Sequence, residues 1–260
     1  MLQKLIMINI KSGREIELMR ESCALAAKTL EYIAPFVKPD VSTLELNDLC
    51  HQFIVKNKAY PSPLNYHGFP KSICTSKNEI VCHGIPSKKD ILKSGDIVNV
   101  DITTFLNGFH GDTSQMFLIG EVDPKIKKLV EVTYQCLLLG IKTVRPGSKL
   151  GEIGAAIEEC AHKNNYSIVE DYCGHGIGRE FHEEPQVLHY DTKSSGPTLR
   201  PGMVFTIEPM INLGQKYTQL LKDKWTVLTR DRSWSAQFEH TILVTETGFE
   251  VLTLRSGEII

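Results

Sequence analysis

The sequence predicts an α/β (α+β) fold of two pseudo-two-fold duplicated halves, with a central, mostly antiparallel sheet flanked by helices. Two pairs of segments carry this reading. "VKPDVSTLEL" at 37–46 resembles "VRPGSKLGEI" at 144–153, and "LKSGDIVNVD" at 92–101 resembles "LRPGMVFTIE" at 199–208. Both pairs are separated by the same shift of 107 residues. Pro-Gly turns before apolar strands recur by chance, but two pairs at one shift point to a repeat. Each half reads helix, turn, helix, loop, strands, an order that packs helices on a sheet.

Residues 1–12 read as an N-terminal arm and 13–254 as one domain, its halves running about 13–120 and 121–254. "REIELMRESCALAAKTLEYIAPFV" places Ile16, Met19, Cys23, Ala26, Ala27, Leu30 and Ile33 at helical spacing. "VSTLELNDLCHQFIVKN" starts a second helix with Ser42 or Thr43 as N-cap. The Pro-rich "AYPSPLNYHGFPKS" reads as loop, followed by strands in "EIVCHGIP", "DIVNVDITTF" and "GDTSQMFLIG". "DPKIKKLVEVTYQCLLLGIKTV" opens a third helix, with Asp123 as N-cap and Pro124 in the first turn. "KLGEIGAAIEECAHKNN" is a fourth. Then come "SIVEDYCGHGIG", a long loop at 179–197, and strands in "MVFTIEPM", "WTVLTR" and "AQFEHTILVTETGFEVL".

A chain of 260 residues can bury a large core, and 42% hydrophobic with 23% charged residues is ordinary for a globular enzyme. A net charge of -2 offers no basic field for nucleic acid. No apolar run is long enough to cross a bilayer. The opening "MLQKLIMINIKSGREIE" is charged too soon for a signal peptide, so the expected location is cytoplasmic. Seven cysteines, none in a C-x-x-C pair, argue for reduced thiols and against a thiolate zinc site.

Chemistry enters with "VNVDITTFLNGFHGDTSQMF" at 98–117, a hairpin on Asn107-Gly108. In that register Leu106 faces Phe109 and Thr103 faces Asp112. Asp101 then shares a face with Asp112, with Cα atoms roughly 7–8 Å apart. Such carboxylates repel unless a cation lies between them. The repeat aligns Asp101 with Glu208, and Glu239-His240 enters its strand as Asp112-Thr113 enters the earlier one. Each half thus offers two carboxylates, and two divalent ions cancel their charge, ~3.5–4 Å apart in such sites. His175 in "CGHGIG" has glycines on both sides that let backbone approach closely. Oxygen ligands with one imidazole suit Mn, Fe, Co or Zn alike. Taken singly, each residue has a structural explanation: a strand-end carboxylate, a turn aspartate, a core histidine. Only the joint pattern carries the inference.

"VCHGIP", "DIVNVD" with "GFHGDTS", "YCGHGIGREFHEEPQV", "PGMVFTIEPM" and "AQFEHTILVT" closely resemble type I methionine aminopeptidases, in order, from about Ile10 to Leu254. The resemblance implies the pita-bread fold and two divalent ions on Asp101, Asp112, His175, Glu208 and Glu239. By the same resemblance Asp101 binds one ion, Asp112 and Glu239 bridge both, and His175 and Glu208 complete the other. His83 and His182 are implied beside them, His83 on the scissile amide nitrogen and His182 on the oxyanion. Glu208 is implied to pass a proton from water to the leaving amine. The methionine slot falls on Tyr66, Phe69, Cys74, Phe181, Met210 and Trp225. Pro63 and Phe69 depart from the cysteine and tyrosine that many relatives carry. A monovalent-cation site falls on Asn78, Ile80 and Ser235.

The implied substrates are N-termini of nascent polypeptides with a small second residue, met by a monomer; association at the ribosome suits that activity. An X-Pro aminopeptidase is the nearest alternative, but such enzymes carry a large extra N-terminal domain. A non-catalytic peptide- or ribosome-binding relative is another, but it should have lost ligands, and all are present.

Overall fold

The computed structural model describes residues 8–260; residues 1–7 of the expected arm lie outside the described residues. Helix α1 (Gly13–Ile33) starts on Ser12, whose hydroxyl accepts from the Glu15 N–H while the Glu15 carboxylate reaches back to the Ser12 N–H. Helix α2 (Thr43–Lys56) starts the same way on Ser42 and Glu45. These reciprocal caps satisfy amides that the helix cannot bond internally. Helix α3 (Pro124–Lys142) begins on Asp123, whose side chain accepts from the Lys125 N–H. Helix α4 (Gly151–Lys163) completes the second pair.

The hydrogen bonds repeat at the shift seen in the sequence. Glu45 accepts from the Ser42 N–H at 2.9 Å, and Glu152 from the Lys149 N–H at 2.8 Å. Asp40 N–H donates to the Leu92 carbonyl, and Gly147 N–H to the Leu199 carbonyl. Isolated bridges join Ser42 to Ile91 and Lys149 to Thr198. Asp40 and Gly147, at φ 69° and 88°, turn the chain in the left-handed region at matching places.

The first half holds strands β1 (Tyr60–Pro61), β2 (Cys74–Lys77), β3 (Ile80–Cys82), β4 (Ile97–Leu106) and β5 (Phe109–Leu118). The second holds β6 (Ser167–Ile168), β7 (Gly174–Gly176), β8 (Glu183–Val187), β9 (Val204–Ile207) and β10 (Met210–Asn212). It continues with β11 (Thr218–Leu220), β12 (Val227–Thr229), β13 (Ser235–Gln237), β14 (His240–Val244) and β15 (Phe249–Val251). Among the described residues every ladder is antiparallel. The sheet is assembled from several ladders: β1-β4-β2, with β5 on β4, meets β15-β14-β9-β7-β8 at a bridge between Ser114 and Glu239.

Two expectations need correction. The expected loop at 179–197 contains β8, which pairs with β7 through His175↔Gln186 and Gly174↔Val187. Its charges and Pro185 hide a strand whose edge faces outward. The nominal loop at 59–72 likewise contains β1, paired with β4.

One core cluster, including Leu30, Leu46, Ile73, Val100 and Ile102, packs α1 and α2 on the first sheet. A larger one, including Leu129, Leu137, Ile153, Phe205 and Ile242, packs α3 and α4 on the second. A third joins Met19, Cys23 and Phe109 to Ile177, Val204 and Leu243 across the halves. The seven cysteines are free. Among the described residues no helix is long and apolar enough to cross a membrane.

Candidate metal centre

Asn107 and Gly108, at φ 53° and 84°, close the hairpin of β4 and β5 as a primed turn. Leu106 faces Phe109 and Thr103 faces Asp112, so Asp101 and Asp112 share one face. From β5 the chain reaches the second half: Glu239 N–H donates to the Ser114 carbonyl at 3.2 Å, and the Thr113 hydroxyl to the Glu239 carbonyl at 2.7 Å. Glu208 follows β9, whose last residue Ile207 pairs with His240, the residue after Glu239. His175 sits in β7, beside β9. A Cβ on Gly174 would lie 2.4 Å from the Thr206 carbonyl oxygen, and one on Gly176 2.1 Å from that of Glu184. Only glycines let β7 settle there with the imidazole turned inward.

Asp112, His175 and Glu239 each present a donor atom within 4.8 Å of the others. His175 Nε2 lies 3.8 Å from Asp112 Oδ2 and 3.7 Å from Glu208 Oε1. Its Nδ1 donates to the Gly176 carbonyl at 2.9 Å, which leaves the Nε2 lone pair facing the carboxylates. Thr103 donates to Asp112 Oδ1 at 2.7 Å, and Thr206 to Glu208 Oε1 at 2.7 Å. Gln237 donates to Glu208 Oε2 at 3.2 Å, and the Glu208 N–H donates to His189 Nε2 at 3.1 Å. Asp101 Oδ1 is buried with no hydrogen-bond partner.

Burial pushes the Asp101 carboxyl up to about 7. Burial also raises Glu208 to about 8, against the Thr206 bond and with help from Asp101. Asp112 and Glu239 are held well above the usual carboxylate range, first by burial, then by the charges of Asp101 and Glu208, and at Glu239 by Asp112 as well. Burial, with His182 beside it, depresses His175 to about 3, so the imidazole is neutral, the form that ligates metal. A buried acid without a partner, repelling neighbours and a neutral imidazole fit divalent ions.

The same groups give the metal-free protein a pH signature. Folded Asp101 and Glu208 keep protons that the unfolded chain releases near pH 4, so stability falls as pH rises through about 7 and 8. The depressed histidines act oppositely, but only below about pH 6.5, where an unfolded histidine gains its proton. Chelator-stripped protein should lose several degrees of Tm between about pH 6.5 and 8.5, and Mn2+ should restore them. Calorimetry showing a flat Tm over that window would contradict the raised carboxyl values.

The five acidic and imidazole side chains line one cavity of about 500 Å³. His83 and His182 line it too, both depressed to about 4, chiefly by burial. The His182 ring lies 4.2 Å from that of His175, and its Nδ1 is 2.8 Å from the Tyr66 hydroxyl. His83 takes a left-handed φ of 55° at the end of β3, its ring edge-on to Tyr172 and Trp225. Tyr66, Phe69, Cys74, Phe181, Met210 and Trp225 line the wall, as does Pro63. Asn78, Ile80 and Ser235 lie outside it. The Asn78 carbonyl accepts from the Ser235 N–H at 2.9 Å, the Asn78 side chain bonds Asp96, and Ile80 pairs with Leu228 on β12.

Sequence reasoning missed Thr103, Thr206, Gln237 and His189 as partners of the acids. Three carried a signal. Thr103 is the cross-strand partner of Asp112 in the hairpin register, and Thr206 stands two residues before Glu208 on the same face. Gln237, two residues before Glu239, shares that face in the same way but bonds Glu208 of another strand, and His189 arrives from a distant segment and left no signal.

Residues 17–246 match metallopeptidase family M24. The chain is 57% identical over 248 residues to the methionine aminopeptidase of Rickettsia prowazekii, covering 95% of each chain. It is 53% identical over 254 residues to that of Escherichia coli, covering 97% of this chain and 96% of the other. The crystal structure of the Rickettsia prowazekii protein superposes with a TM-score of 0.93, over 95% of this chain and all of that one. A prolidase from Pyrococcus furiosus shares the fold, with a TM-score of 0.75 at 22% identity, but this chain covers only 66% of it. Near-complete coverage at such identity, on a cavity lined by these acids and histidines, makes the chain a member of metallopeptidase family M24, in its methionine aminopeptidase group.

Proposed function

We propose that this chain removes the N-terminal methionine of nascent polypeptides whose second residue is small, using two divalent ions held by Asp101, Asp112, His175, Glu208 and Glu239. The carrying observation is that acids from both halves, one neutral imidazole and two further histidines line a single cavity with an aromatic wall. Bound there, such ions supply an activated water and a Lewis acid for a peptide carbonyl.

The chain's own groups do the rest. Glu208, oriented by Thr206 and Gln237, takes the proton of the attacking water and passes it to the leaving amine. His182 donates from Nε2 to the developing oxyanion, its Nδ1 accepting from the Tyr66 hydroxyl. His83 hydrogen-bonds the scissile amide nitrogen. Phe69 and Trp225, edge-on at 5.2 Å, with Phe181 and Tyr66, receive the thioether; sulfur–aromatic contacts contribute ~0.3–1.5 kcal/mol each. Cys74 and Met210 complete that wall. The same reading takes residues 13–254 as one catalytic domain, working as a cytoplasmic monomer. It assigns Asn78, Ile80 and Ser235 to a monovalent cation.

Metal-loaded protein should release methionine from Met-Gly and Met-Pro peptides, and at least ~100-fold more slowly from Met-Leu, because a bulky second residue meets the histidine-lined wall. Equal cleavage of all three, or preference for other residues before proline, contradicts the assignment.

A further inference from the structure

Asp112 and Glu239 are gripped from behind by residues at and beyond the expected end of the domain. His240, next to Glu239, is fully buried, with Nδ1 2.9 Å from Thr253 Oγ1 and Nε2 3.2 Å from Glu258 Oε1. The same Glu258 oxygen accepts from the Arg255 guanidinium at 2.6 Å and from the Tyr134 hydroxyl at 2.8 Å. The other Glu258 oxygen accepts from the Arg255 N–H at 3.2 Å.

Two chains of bonds lead from this knot to the acids. Arg255 Nη1 donates to Thr113 Oγ1 at 3.2 Å, and that hydroxyl donates to the Glu239 carbonyl at 2.7 Å. The Thr241 N–H donates to Thr253 Oγ1 at 3.1 Å, and the Thr241 hydroxyl donates to the Asp112 carbonyl at 2.8 Å. None of these groups lines the cavity. They hold the backbone on which two acids from different halves are mounted. The Arg255–Glu258 pair has side chains only 9% exposed, so removing either partner strands a buried charge.

We infer that residues 253–258 form a C-terminal clasp that positions Asp112 and Glu239 and so sets the affinity of the centre for divalent ions. This rests on reading Asp112 and Glu239 as metal ligands. Arg255 and Glu258 are positioning residues, and losing outer support of this kind costs on the order of 10–100-fold in metal affinity.

The test measures Mn2+ affinity of the full chain by competition with a fluorescent chelator, and the visible absorption of the Co2+-loaded protein. Glu258→Ala and Thr113→Val should each weaken Mn2+ binding by about 10–100-fold and alter the Co2+ spectrum, with unchanged far-UV circular dichroism. Glu258→Gln, which keeps one acceptor oxygen for Arg255, Tyr134 and His240 but gives up the other and the charge, should fall between wild type and Glu258→Ala. Wild-type affinity and spectrum in folded Glu258→Ala and Thr113→Val overturn the clasp. If Glu258→Ala does not fold, the buried isostere Thr113→Val decides alone. Asp101→Asn separates the two ideas. Weakened binding in it alongside normal clasp variants fails only the clasp, and normal binding in it fails the metal reading.

Discussion

Replacing Asp101 by Asn should lower metal-dependent turnover by about 10³-fold or more, the loss of several kcal/mol of transition-state stabilisation, and leave the fold intact. The side chain lies mid-strand in β4, opposite Cys74 on one side and Ser114 on the other. Its Oδ1 makes no hydrogen bond, so the substitution breaks no link there. It removes a charge. Asp101 is one cause of the raised carboxyl values at Asp112, Glu208 and Glu239. Metal-free Asn variant should therefore melt no lower than metal-free wild type near pH 8, because the remaining acids repel less. Normal turnover by the variant would remove Asp101 from the centre.

His182→Ala should cut kcat by about 10²–10³-fold, the cost of one oxyanion donor, while bound metal stays at the wild-type level. Tyr66 holds the Nδ1 side of the ring, and Phe181 stacks on it at 4.4 Å. The ring lies 4.2 Å from that of His175. A donor to the transition state alone changes kcat more than KM. Metal analysis by mass spectrometry alongside the kinetics distinguishes the roles. Loss of metal in step with activity would make His182 a ligand, and unchanged kcat would leave it a wall residue.

Much of this was legible in the sequence because short-range rules carried it. Asn107-Gly108 set the hairpin register, the register put Asp101 and Asp112 on one face, and the 107-residue shift aligned Asp101 with Glu208. The caps at Ser42 and Asp123 follow from local chemistry as well. What stayed hidden depends on contacts between distant segments. His189 reaches the Glu208 backbone from 19 residues away. Strand β8 has a charged, proline-containing sequence that only its partner β7 makes a strand. The resemblance and the expected domain both run to Leu254. The folded chain buries Glu258 against His240, a partner no periodicity reveals.

On this reading, acids from two sister halves hold a pair of dications. Anomalous diffraction from crystals of the Mn2+-loaded protein tests it most directly. Two peaks are expected, enclosed by Asp101, Asp112, His175, Glu208 and Glu239. Peaks at any other side chains, or none in this cavity at saturating Mn2+, would contradict it.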